Sequence, residues 1–159
     1  MVWGIMKYLI LENTRSAYNV GAMFRTADGA GVDKIFLVGY TPTPIDRFGR
    51  VQSEIQKTWL GASENIPWEH FLEAKQLVAY LQTTQCAIVP VEQTENSVSL
   101  QDFSVPENVA YVMGNEVEGV SIEFCSAADT IVDIPMLGEK ESLNVSVAAG
   151  IVLYHGLRT

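Results

Sequence analysis

Five short apolar runs punctuate the chain: Lys7–Glu12 (KYLILE), Lys34–Gly39 (KIFLVG), Cys86–Val91 (CAIVPV), Val109–Met113 (VAYVM) and Thr130–Ile134 (TIVDI). They are nearly continuous rather than alternating, which predicts strands buried on both faces of a parallel sheet. Helical patterns lie between them. Asn19 is placed to cap a helix over Val20–Asp28, stopped by Gly29 and Gly31. Trp68–Leu81 sets Phe71, Leu72, Leu77, Val78 and Leu81 at helical spacing, and Ser142–Leu157 reads as a last, strongly apolar helix with Ser142 as its N-cap. This alternation predicts an α/β fold, a mostly parallel sheet with helices on both faces. Tyr40–Gln56 is the one long connection and carries Pro42, Pro44, Gly49 and two arginines. With no internal repeat and no separating linker, residues 1–159 read as a single domain.

Composition narrows the class. At 48% hydrophobic and 18% charged, the chain is neither disordered, collagen-like nor coiled coil. No apolar run approaches the roughly 18 residues of a membrane span. Met1–Trp3 leads straight into the first run without the pattern of a signal peptide, so a cytoplasmic protein is expected. Cys86 and Cys125 are far apart and read as thiols in a reducing compartment, and the isolated His70 and His155 offer no metal site.

A net charge of −9 argues against nucleic acid as a partner, but its distribution points the other way. Residues 1–57 hold seven basic and five acidic side chains, a balance of +2. Residues 58–159 hold three basic and fourteen acidic ones, a balance of −11. An anionic partner is therefore expected on the N-terminal third.

Familiar nucleotide motifs are missing. The first strand is followed by Asn13-Thr14-Arg15-Ser16 rather than a glycine-rich turn, and neither a P-loop nor a G-x-S-x-G elbow occurs. Three segments exceed what local structure needs. Residues 19–27 (NVGAMFRTA) set Arg25 on an otherwise small and apolar helix, where a guanidinium requires a carboxylate of the fold or a phosphate from outside. Residues 114–121 (GNEVEGVS) follow the Val109–Met113 strand, where open α/β sheets bind ligands, and hold Glu116 at the strand end; an ordinary tight turn is the alternative. Residues 134–148 (IPMLGEKESLNVSVA) supply Ser142, Asn144 and Ser146 where a cap needs one polar residue.

In this order, the three segments resemble the three motifs of the SpoU/TrmH branch of the SPOUT RNA methyltransferases, over about 130 of the 159 residues. The resemblance implies an α/β fold with a C-terminal trefoil knot, S-adenosylmethionine as cofactor, a homodimer whose active sites draw on both chains, and 2′-O-methylation of a ribose in tRNA or rRNA. It makes Asn19, Arg25, Glu116, Ser142 and Asn144 the catalytic set, and Val91, Gly114, Ile134, Met136 and Leu143 the cofactor contacts. Arg15, Arg47, Arg50 and Lys57, in the net-positive third, are the expected phosphate contacts. Glu116 is expected to orient Arg25 or Asn19 across the dimer. Whether Arg25 is the base or a phosphate anchor stays open, since a guanidinium normally keeps its proton. Neither a separate RNA-binding domain before the first motif nor a basic tail after Thr159 is expected, so recognition is expected from the catalytic domain, its dimer or an accessory protein. The rival readings are a non-catalytic RNA- or protein-binding module of the same fold, and an unknotted flavodoxin-like domain.

Overall fold

A computed structural model describes residues 5–157; the expectation for Met1–Trp3 lies outside the described residues. In chain order, β1 (Lys7–Glu12) leads to α1 (Ala17–Gly29), β2 (Lys34–Val38), α2 (Ser53–Trp59), α3 (Ala62–Asn65), β3 (Trp68–Phe71) and α4 (Ala74–Thr83). Then come β4 (Ala87–Pro90), β5 (Val98–Ser99), β6 (Val109–Met113), α5 (Ile122–Ala127), β7 (Val132–Asp133) and α6 (Val145–Tyr154).

The main sheet has the order β3-β2-β1-β6-β4, and all its pairings are parallel. β1 is central, with Leu9 aligned with Ile35 on one side and Tyr111 on the other. Because both faces are covered, alternate residues of each strand enter different cores. Leu9, Leu11, Ile35, Leu37 and Tyr111 pack with Val20, Met23 and Phe24 of α1, Ile55 of α2 and Val152 of α6. Tyr8, Ile10, Phe36 and Val112 pack on the opposite face with Leu77 and Leu81 of α4 and Phe124 of α5. Each such fully buried side chain contributes about 1.5–3 kcal/mol.

Three elements differ from the pattern read along the chain. The Trp68–Leu81 helix divides: Trp68–Phe71 is the edge strand β3, paired with β2 from Ile35↔Trp68 to Val38↔Phe71. Glu73 then starts α4 through a capping box with Gln76. The outer edge of β2 had ladder bonds to satisfy, and Leu72, expected in the core, is exposed. The run at Thr130–Ile134 is not a main-sheet strand. Asp129 occupies the free edge of β4, taking the Ile88 N–H on its carboxylate and donating its own N–H to the Ile88 carbonyl. Beyond it Val132–Asp133 pairs with Val98–Ser99, and Val132 touches the end of β4 through an isolated parallel bridge to Val91. Both predicted caps also move. Ser16 caps α1 and its side chain accepts the Asn19 N–H at 3.2 Å, so Asn19 lies inside the first turn. Asn144 caps α6, which leaves Ser142 in the preceding loop.

Gly21 is where α1 and α2 meet. A Cβ there would overlap the Thr58 hydroxyl and the Ile55 carbonyl oxygen. Gly21→Ala in a solvated helix would gain up to about 1 kcal/mol. Here overpacking is expected to cost about 1–3 kcal/mol. Urea unfolding checks this, and a midpoint at or above that of the parent would contradict the contact.

Candidate functional site

Ligands of open parallel sheets bind at the carboxyl ends of strands where the order reverses. In this sheet that point lies between β1 and β6, since the chain runs outward through β2 and β3 and returns on the other side of β1. The loop after β6 is folded back on itself, with Asn115 and Gly119 exchanging both backbone hydrogen bonds at 3.0 Å. The Asn115 carboxamide oxygen accepts the N–H groups of Val117 and Glu118, each at 2.8 Å. Its amide nitrogen donates to the Asn13 carbonyl at 2.9 Å and to the Tyr40 hydroxyl at 2.8 Å. The side chain therefore ties the loops after β1, β2 and β6 together. Two glycines allow the fold-back: a Cβ on Gly114 would strike the Gly119 backbone, and Gly119 itself takes φ +74° against the Glu92 carboxylate.

Carboxylates at three strand ends hold backbone N–H groups of other loops. Glu12, 2% exposed, accepts from Ser121 at 2.8 Å. Glu92 accepts from Val120 at 2.9 Å. Glu116 accepts from Arg15 at 3.0 Å and, more weakly, from Ser16 at 3.4 Å. Within its own chain Glu116 thus engages the entry to α1. Burial pushes the Glu12 carboxyl above its ordinary value, contacts with Ser121 oppose the rise, and Glu123 adds to it.

Above this scaffold lies a cleft of about 580 Å³, within the range of small-molecule sites. Val91, Gly114, Ile134, Met136 and Leu143, the five expected cofactor contacts, all line it, together with Glu116, Ser142 and Asn144. Sequence reasoning missed Glu92, Glu118 and Asp133, although Glu92 directly follows Val91 at a strand end. These three and Glu116 make the lining acidic, and no basic residue is among it. Such a wall repels phosphate and favours a cation. S-adenosylmethionine bears a sulfonium, an ammonium and a carboxylate, so its net positive charge fits the lining. Backbone groups freed by Gly114 and Gly119 suit a flat heterocycle. Asn144 is partly committed, its side-chain oxygen taking the Ser146 N–H at 2.9 Å and hydroxyl at 2.6 Å. Ser142 is exposed and not part of α6.

Asn19 and Arg25 do not line the cleft. Arg25 is exposed on α1 and makes no ion pair among the described residues. Arg15, Arg47, Arg50 and Lys57 are exposed outside it as well. None of the described helices is long and apolar enough to cross a membrane, and no metal-ligating cluster occurs among the described residues.

The family model of the SpoU rRNA methylase family matches residues 6–154. The 23S rRNA (guanosine-2′-O-)-methyltransferase RlmB of Ralstonia nicotianae is 32% identical over 151 residues, covering 94% of this chain and 57% of that protein. The chain therefore spans little more than half the length of that curated relative. The AdoMet-bound rRNA methyltransferase of Sinorhizobium meliloti superposes with a TM-score of 0.83 at 28% identity, over 94% of this chain and 55% of that one. The A. aeolicus TrmH/SpoU tRNA modifying enzyme gives 0.82 at 26% identity, over 95% and 73%.

The buried Glu12 makes a pH prediction. A raised folded value means that the folded state binds the proton more tightly than the unfolded chain does. The stabilisation is then complete below the ordinary value of 4.5 and is lost as pH rises through the raised one. Glu12→Gln keeps an acceptor for Ser121 without the charge. It should flatten that decline and leave the protein no less stable at pH 7. Urea unfolding between pH 4 and 8 measures it, and a variant whose stability falls in parallel with the parent would rule the effect out.

Proposed function

The chain belongs to the SpoU rRNA methylase family, and on that premise we propose that it transfers a methyl group from S-adenosylmethionine to a ribose 2′-hydroxyl of RNA. The observation that carries this reading is the cleft, where the 114–121 and 134–148 segments converge on a cation-favouring pocket with backbone exposed by Gly114 and Gly119. Ribosomal RNA is the first substrate to test, because the curated relative carries 23S rRNA in its name, and tRNA is the second.

When bound, the cofactor supplies a methyl group already activated on a sulfonium. The chain's own work is then to align the ribose and handle the charge that develops on its oxygen. Val91, Ile134, Met136 and Leu143 offer the apolar walls for the cofactor, and Ser142 and Asn144 offer hydroxyl and amide groups at the rim. Arg25, protonated, anchors the phosphate beside the target ribose and orients the 2′-hydroxyl, whose proton leaves to solvent as its oxygen takes the methyl group. Arg15, held by Glu116 through its backbone, leads the RNA in, with Arg47, Arg50 and Lys57 taking further phosphates.

Because Arg25 lies outside its own chain's cleft, the reading includes a homodimer in which a second copy brings α1 to the site. α6 supports that surface. Nearly every residue of Val145–Tyr154 is apolar, yet Val147, Ile151 and Tyr154 are exposed, along a shallow groove shared with Ala22 and Thr26 of α1. A helix apolar all round is normally covered on all sides. The same reading treats residues 1–159 as one catalytic domain in the cytoplasm, with its C-terminal segment threaded through a loop as a trefoil knot. An accessory protein is a further route to RNA for so acidic a chain.

Titration calorimetry with S-adenosylmethionine, followed by transfer of labelled methyl to ribosomal RNA and tRNA, tests the activity. The product is a phosphodiester resistant to alkali, since the 2′-oxygen is blocked. Cofactor binding without transfer to any RNA would point to the non-catalytic module instead. Arg25→Ala should abolish transfer and leave cofactor affinity within about two-fold, because the residue lies outside the pocket; full activity in this variant would remove Arg25 from the mechanism. Ile151→Glu places a charge on the bare face of α6 and should yield monomers by light scattering, with transfer lost and helix content retained. A dimer that persists would move the interface elsewhere.

A further inference from the structure

The long connection between β2 and α2 ends in a tip that neither core explains. Ile45 and Val51 pair as an antiparallel bridge, and Asp46 folds the residues between them into a tight turn. One Asp46 carboxylate oxygen accepts the N–H groups of Phe48 at 2.8 Å and Arg50 at 2.9 Å. The other accepts Arg50 Nε at 2.8 Å. Gly49, at φ +79°, supplies the left-handed residue that the turn requires. Phe48 stands 67% exposed at the apex and belongs to neither hydrophobic cluster. Two guanidinium groups lie against its ring, with Arg47 at 4.7 Å and Arg50 at 5.0 Å from the centroid.

The turn's internal bonds hold Phe48 at the apex, so its ring is presented to solvent in a fixed place. Planar guanidinium and aromatic groups gathered at one apex form a surface on which bases stack, and their positive charge attracts a phosphate backbone. Among the described residues Arg50 commits only its Nε, to Asp46, which leaves its terminal nitrogens for an outside acceptor. The root of the connection is also tied to the candidate site, since Tyr40 donates its N–H to Asn13 and receives the Asn115 amide on its hydroxyl.

We propose that the Arg47–Phe48–Arg50 tip is a stacking site for an unpaired nucleobase of the RNA substrate, with the two guanidinium groups taking the flanking phosphates. This rests on the reading that RNA is the substrate, and it adds recognition of a base to the phosphate contacts. The base stacks on the exposed ring or on the outer guanidinium plane. Stacking accepts any base, so the site selects unpaired over duplex RNA rather than one sequence.

The test crosses two changes. Binding of the full chain and of Phe48→Ala is measured by fluorescence anisotropy on an oligoadenylate 12-mer, and on the same ribose-phosphate chain with its bases removed. Phe48→Ala should lose roughly ten- to a hundred-fold on oligoadenylate and nothing on the abasic strand. Its salt dependence should stay unchanged because no charge is removed. Phe48→Trp should restore binding, with its fluorescence quenched by RNA. An equal loss on both strands, no loss on either, or no binding of oligoadenylate by the parent would overturn the stacking site. So would a lower molecular mass of Phe48→Ala in light scattering, which would make the tip a protein contact. An unchanged melting temperature excludes misfolding of this exposed position. Methyl transfer by the parent is scored separately: a base-dependent loss in a protein that transfers no methyl group would leave the stacking site standing and remove the proposed activity.

Discussion

Backbone N–H groups at the carboxyl edge of a buried parallel sheet must find acceptors, because the loops that leave the strands there have no ladder to join. Glu12, Glu92 and Glu116 meet that need, each taking N–H groups from a loop that follows a different part of the chain. A charge-assisted bond of this kind is stronger than one between neutral partners. The three together lock the 114–121 loop against the start of α1 and the end of β4. The candidate site depends on this locking together with the bonds between its walls, from the Glu92 N–H to the Val132 carbonyl and from Gln93 Nε2 to the Glu141 carbonyl.

The same carboxylates give the cleft its sign. Glu92 and Glu116 act as backbone clamps and also line the pocket beside Glu118 and Asp133. Part of the chain's net charge is thus structural. Its result is a division of labour, in which the acidic pocket suits a cationic small molecule and the arginines of the N-terminal third are exposed outside it. Anions and cations are handled on separate surfaces, and the ribose of the proposed reaction must sit where the two meet.

The tolerance of one chain for both tasks follows from where flexibility is allowed. The inner strands β1, β2 and β6 are buried to near completeness, and Asn115 fastens three loops at once. The Asp46–Arg50 tip projects beyond this frame yet carries its own internal bonds, so its side chains are presented rather than left loose. α6 is the exception: its capped start and buried Ala149, Val152 and Leu153 hold it to the core while the opposite side stays apolar and bare.

Much of this was written in the order of residues. Nearly continuous apolar runs at Lys7–Glu12 and Val109–Met113 became strands with those bounds, because burial on both faces leaves no other composition open to them. The glycines and polar residues at 114–121 and 134–144 marked the cleft, because close backbone approach demands those residue types locally. Partners distant in the chain were not legible. Trp68–Phe71 became a strand because β2 needed an outer neighbour, and Thr130–Ile134 touches the main sheet only at the Val91–Val132 bridge because Asp129 took the edge of β4. Glu12 and Glu92 read only as acids, and Glu116 as one of the catalytic set, until folding brought each to an N–H from another loop. Local pattern was therefore enough to give most of the elements, the family and the segments that wall the pocket. Which carboxylate holds which loop, and that Arg25 stands outside its own cleft, came only with folding, since both depend on distances between residues far apart in the chain.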